Sequence, residues 1–326
     1  MAPTVLRRIT ALSFALIVLA GCGNETFGQT PGSRGGDSDG ATAVAATKAD
    51  AEGAFATLTE LREAWKGHDC AKVTSLTTWA EGALAGHACE AAKDGGTGLD
   101  LGEYGDVEYL LPGAGAGDDE GGAWFVALAH DPDPTFFVFV QAEGRWRLGA
   151  GPIPVLHKTP KFDVDSKSAD ENPEIAVQAR LVPTRYVAFL TDPAGVSGVK
   201  FPSGDRMRDL LPELLQAPAK VRPDRLSVDV QLEGQAYALV LADGGALVFH
   251  ALRVVYAQRP GSGRSSLAHP RYGDADVRAY TGKRDPAAIT GTELVMLATE
   301  VSKDNEMTTV AMRRSLADIT PDATAE

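Results

Sequence analysis

The chain has 326 residues, 44% of them apolar and 23% charged, and a formal net charge of −13. That apolar content supports a core over most of the length and excludes wholesale disorder, and the length allows two ordinary domains. The acidic excess repels phosphate backbones, so no nucleic acid is expected as a partner.

Arg7 and Arg8 precede a twelve-residue apolar run, Ile9 to Ala20. The run is shorter than the roughly 20 helical residues that span a hydrocarbon core, so residues 1–21 read as a signal peptide. It ends in Leu19-Ala20-Gly21-Cys22, where an ordinary signal peptide would carry an A-x-A-like site. These four residues resemble the lipobox of bacterial lipoproteins. The resemblance implies that Cys22 takes a thioether-linked diacylglycerol, becomes the first residue after cleavage, and holds the protein at the extracytoplasmic face of the cell membrane. The rival reading, a buried cysteine in a transmembrane anchor, needs a longer apolar run. Thr10-Ala11 departs from the twin-arginine export pattern, which leaves general secretion. With its Ala/Gly-rich composition, the chain is similar to uncharacterised lipoproteins of actinobacteria. Residues 22–47, with Phe27 as the only large apolar side chain, read as a flexible tether.

With Cys22 assigned to lipid, Cys70 and Cys89 remain, in the contexts Gly67-His68-Asp69-Cys70 and Gly86-His87-Ala88-Cys89. One reading is a disulfide closing a loop of about 19 residues, worth about 3 kcal/mol in the chain-entropy model. The other is a metal site that also uses both histidines. Residues i and i+2 point to different sides of a helix, and zinc fingers space their ligand pairs more widely. The disulfide is the preferred assignment, and no metal or cofactor is assigned.

A first α+β domain is expected over 48–155. The spacing of Phe55, Leu58, Leu61, Ala64 and Trp65 predicts a helix over 49–65, and a second helix is expected over 71–85. Strand patterns follow at 105–111, 122–130, 135–141 and 145–148, with Asp131–Pro134 and Glu143-Gly144 as turns. Such an antiparallel sheet keeps one wet face and lays its apolar face on the helices.

Two helices, then a meander closing in Gly144-Arg-Trp-Arg-Leu148, resemble the nuclear-transport-factor-like, cone-shaped fold. That resemblance implies a pocket between sheet and helix. Residues 156–172 read as a linker, and the pattern restarts in a second domain over 173–318. Its helices are expected at 173–190, with Pro183 as a kink or boundary, and at 205–216. Its strands are expected at 226–232, 235–242, 246–257, 293–301 and 307–314, before a disordered tail at 319–326. The segments Ala123–Ala129 and Ala236–Ala242 agree in four positions, so the halves are either duplicates or unrelated units with similar hairpins.

No chemical motif of high specificity emerges, and no catalytic residue is assigned. Ser197-Gly-Val-Lys200 satisfies S-x-x-K, but it lies in a Gly/Pro-rich loop and lacks the partner motifs. Gly113-Ala-Gly-Ala-Gly117 reads as a loop tip, and Asp118-Asp119-Glu120 as a solvated loop or a calcium ligand set. His250 interrupts an apolar strand, as either a hydrogen-bonded core residue or a cavity-facing one.

One segment departs from the rest. Gln258 to Thr290 holds Arg259, Arg264, Arg271, Arg278, Lys283 and Arg284 against three aspartates, a local charge of +3. A loop of this length is functional or disordered. The functional reading is contact with an anionic envelope polymer, lipid headgroup or protein partner, with Tyr272 and Tyr280 as packing anchors; the alternative is a solvated insertion. The sequence therefore points to a surface-anchored lipoprotein acting as a non-enzymatic binding or scaffolding module, with a cell-wall enzyme as the alternative.

Overall fold

The computed structural model describes residues 45–113, 122–162 and 167–321. Cys22, most of the expected tether, the loop tip after Gly113, Asp118-Asp119-Glu120 and residues 322–326 lie outside them. Thr42–Glu326 forms one compact unit.

Thr47 starts the first helix, α1 (Lys48–Lys66), through a reciprocal capping box with Asp50. The helix buries Ala51, Ala54, Leu61, Ala64 and Trp65. The single helix expected over 71–85 is two, α2 (Cys70–Leu76) and α3 (Trp79–Lys93). The break falls at two β-branched residues in extended backbone, Thr77 and Thr78, which suit a strand better than a helix. There the chain joins the sheet edge, the Thr78 N–H donating to the Leu148 carbonyl at 2.9 Å.

The first sheet follows as β1 (Gly105–Leu110), β2 (Trp124–Asp131), β3 (Thr135–Ala142) and β4 (Arg145–Pro154), all antiparallel and in that spatial order. Glu143 and Gly144 both hold positive φ (52° and 72°), as a two-residue hairpin with the twist of its strands requires.

The second half repeats the plan of helices followed by a four-stranded antiparallel sheet. Its helices α4 (Pro173–Leu190) and α5 (Arg206–Lys220) precede β5 (Arg225–Val240) and β6 (Ala246–Arg259). A short helix α6 (Asp274–Thr281) and the strands β7 (Ile289–Val301) and β8 (Met307–Pro321) complete it, in the order β5-β6-β7-β8. Pro183 neither breaks nor ends α4. The strands expected at 226–232 and 235–242 are one, because the Glu233-Gly234 step is a bulge in β5 rather than a turn. The tail expected from 319 is partly strand: Ile319, Thr320 and Pro321 pair with Gly291, Thr290 and Ile289. The expected linker also lies against the second sheet, where Phe162 and Ser168 bridge to Leu241 and Leu239.

Strand alternation explains the layering. Phe125, Ala127, Ala129, Phe137 and Phe139 face the core beneath α1–α3. Their neighbours Trp124, Val126, Leu128, Phe136 and Val138 face Tyr237, Leu239, Leu247, Phe249 and Met296 of the second sheet. The opposite face of that sheet, with Val248, Leu252, Val254 and Leu297, lies under α4 and α5. The order is helices, sheet, sheet, helices. The expected wet face of the first sheet is absent because the second sheet covers it, and six consecutive residues of β2 and of β3 are buried. All six in β2, and the five that follow Thr135 in β3, are apolar, the kind of run that two-sided burial selects. Each fully buried Phe or Leu contributes roughly 1.5–3 kcal/mol, so parting the sheets is costly.

The strands of the two halves do not correspond as the segment match suggests. Ala123–Ala129 feeds the second strand of its sheet, whereas Ala236–Ala242 lies in and just after the first. Their aromatic residues, Trp124 and Tyr237, meet across the interface at 5.1 Å between ring centroids.

Candidate functional site

Cys70 and Cys89 form a disulfide with 5.5 Å between Cα atoms. Neither is available as a thiolate ligand, so the two-cysteine, two-histidine metal reading is excluded. His68 is exposed, and His87 Nδ1 lies 3.1 Å from Asp318 of β8.

The bridge ties α2 to α3, and α3 is the helix that touches both halves. Trp79 holds a left-handed backbone (φ 44°), a costly state for a bulky residue. Its indole packs edge-on to Tyr237 at 4.9 Å and donates to the Glu233 carbonyl at 3.3 Å. Two residues on, the fully buried Glu81 takes a two-pronged ion pair from Arg313 of β8, at 3.0 and 3.2 Å. Burial lifts the Glu81 carboxyl above its usual range, and the guanidinium opposes that shift.

The expected basic insertion is ordered, and its sequence shows little of the reason. Asp224 is buried before β5, and its carboxylate accepts from the N–H groups of Ala268 and His269 at 2.8 and 2.9 Å. It also accepts from the Gln258 side chain, whose own oxygen takes the Arg271 N–H at 2.9 Å. Two buried polar side chains thus supply partners that a polar loop otherwise seeks in water. α6 packs Val277 against Ile289 and Ile319. Tyr272 lies where a Cβ on Gly291 would come within 2.1 Å of its ring, so only glycine admits it.

Of the six basic candidates, Arg259, Arg264, Arg278, Lys283 and Arg284 are exposed. Arg271 is a correction. It turns inward, stacks on the Tyr256 ring at 3.6 Å, and pairs with the buried Glu293 at 3.2 Å. Arg314 shares that carboxylate and reaches Glu213 of α5 at 2.8 Å. Arg271 therefore fixes the insertion to the sheet and is not presented to a partner. Tyr272 is half-buried beside it, and Tyr280 donates to the Leu316 carbonyl at 3.4 Å.

At the other end of the second half, the end of α4, the 197–202 loop and the β7–β8 hairpin enclose an open cleft of about 600 Å³. Arg185, Ser197, Lys200, Phe201, Glu306 and Met307 are among its lining residues. The S-x-x-K pair therefore faces a cleft, though without catalytic geometry. The Ser197 N–H is held by Asp192 at 2.5 Å, and its Oγ meets the Val199 N–H at 3.4 Å. A smaller cleft of about 330 Å³ lies between α1 and the start of β1, lined by Phe55, Tyr104, Phe137 and the Arg62–Glu103 pair.

Under α4 and α5 runs a buried chain of hydrogen bonds. Asp205 caps α5 and accepts from the Met207 N–H, the Thr309 N–H and the Thr309 hydroxyl at 2.7–2.9 Å. The Thr309 oxygen must then accept from Tyr186 (2.9 Å), which accepts from Thr299 (2.6 Å), which accepts from His250 Nε2 (3.0 Å). The acceptor at one end sets every donor, so the His250 proton sits on Nε2 and Nδ1 is left without a partner. Burial pulls the ring down to about 3, so it is neutral at pH 7. His250 is a core histidine.

A family model described as "Domain of unknown function (DUF8094)" matches residues 101–318. The chain belongs to this family. The DUF8094 match begins after α3 and runs through the first sheet, the expected linker and the insertion to Asp318 in β8. No curated protein and no solved structure matches the chain.

The cleft residues Arg185 and Asn305 were not legible as site residues: one is a second arginine, after Arg180, on an amphipathic helix, the other a hairpin asparagine. Asp205 carried a signal, because aspartate before a helical run is a cap.

Proposed function

We propose that this DUF8094 chain is a lipid-anchored lipoprotein at the extracytoplasmic face of the cell membrane, acting as a non-enzymatic binding or scaffolding module. The observation that carries the reading is Leu19-Ala20-Gly21-Cys22 at the end of a short apolar run. The Cys70–Cys89 disulfide supports it, since such bonds persist in oxidising compartments. Among the described residues no helix is long and apolar enough to cross a membrane. The cleft beneath α1 accords with the resemblance to nuclear-transport-factor-like folds, in which a pocket lies between helix and sheet. Five exposed cations on an ordered insertion give an anionic envelope polymer, headgroup or protein a fixed surface to meet.

Detergent-phase partitioning of wild type and Cys22→Ser tests the anchor. The wild type is expected with the detergent and the variant in the aqueous phase; a variant that stays with the detergent overturns it. Co-sedimentation with anionic wall polymer at low salt tests the surface. Binding is expected to fall when Arg264, Arg278, Lys283 and Arg284 become serine, and equal binding removes them from the interface.

A further inference from the structure

Among the described residues seven arginines are partly buried. Arg62, Arg147, Arg253, Arg271, Arg313 and Arg314 each meet a glutamate carboxylate. Arg185 does not: its guanidinium donates to the Asn305 amide oxygen. Withdrawing a guanidinium from water without an opposing charge is costly, and in a chain of net −13 carboxylates are plentiful. Every other partly buried arginine found one within the fold.

Arg185 faces the cleft of about 600 Å³, within the range of small-molecule sites. Lys200, exposed and in no ion pair among the described residues, lines the same cleft. So does Glu306, whose carboxylate is likewise in no ion pair among them. Val199, Phe201 and Met307 give the same cleft apolar lining. Phe201 is set by edge contacts with Tyr186 and Phe189, each at 4.8 Å between ring centroids. Asp192 holds the preceding loop closed through the Ser197 N–H.

We infer that this cleft binds a short peptide by its free carboxylate, with Arg185 and Lys200 as the carboxylate-binding residues. A planar guanidinium matches a carboxylate with two parallel hydrogen bonds. Glu306 takes a ligand N–H or ammonium and disfavours a phosphate dianion, while the apolar lining accepts a side chain. The inference is independent of whether Cys22 carries lipid.

The test is an NMR titration of the full chain with trialanine, its C-terminal amide and inorganic phosphate. Trialanine is expected to shift the amide signals of residues 198–201 and 305–307 to saturation. Amidation and the Arg185→Gln variant are each expected to weaken binding about tenfold or more, with the melting temperature of the variant unchanged. Should Arg185→Gln melt lower, the exposed Lys200→Gln carries the same comparison. Absent shifts at these residues, equal affinity for the amide, or phosphate bound as tightly as the peptide each overturn the assignment.

Discussion

His250 is fully buried, lacks a partner on Nδ1, and is held neutral, its pKa pulled down to about 3. In the unfolded chain the same ring titrates near its ordinary value of about 6.5. Between those values the unfolded state binds the extra proton, so folding stability falls as pH is lowered from about 6.5. The slope is about 1.4 kcal/mol per pH unit, which amounts to roughly 3 kcal/mol by pH 4. Urea unfolding at pH 7 and pH 4.5 should show that loss for wild type and a flatter profile for His250→Gln, whose amide can still donate to Thr299. Equal slopes in the two proteins would assign the acid lability to carboxylates instead.

Among the elements, the 258–290 insertion depends most on a few side chains. Asp224→Ala removes the acceptor of the part-buried Ala268 and His269 N–H groups, at up to about 1 kcal/mol each where water replaces it. Limited proteolysis of that variant should cut first within 262–270 while the sheets stay intact; wild-type resistance there would show that Gln258 and α6 suffice.

This element also marks where the sequence stopped being readable. The helices and hairpins were visible because caps, turn residues and periodicity are local. The insertion was not, because its order comes from Asp224 and Gln258 on other elements, and Arg271 looked like its surface neighbours until Glu293 was brought beside it. The bulge at Gly234 split one strand into two expected ones, because a glycine interrupts a strand pattern whether it marks a bulge or a break. The cleft is assembled from three separate segments, and nothing within any one of them announces it.

At the scale of the molecule, the two halves behave as one body because α3 belongs to both. Leaving Arg313 buried without Glu81 should cost about 3–5 kcal/mol, as for other broken buried pairs. Glu81→Ala is therefore expected to lower the unfolding free energy by that amount while Trp fluorescence and far-UV circular dichroism still report one transition. Two separated transitions would show halves that fold independently. The sequence did hold a sign of this union, since β2 is apolar along six consecutive residues and β3 along five. A sheet with one face in water would alternate.

The Glu81–Arg313 contact also spans 232 positions along the chain. Such distant pairings carry loop-closure entropy before they return any stability, and they slow folding. The docking face of α3 leaves synthesis 232 residues ahead of its partner in β8. The N-terminal third therefore waits, with its disulfide able to form, for a surface supplied by the other end of the polypeptide. Closure of this core is timed by the synthesis of β8.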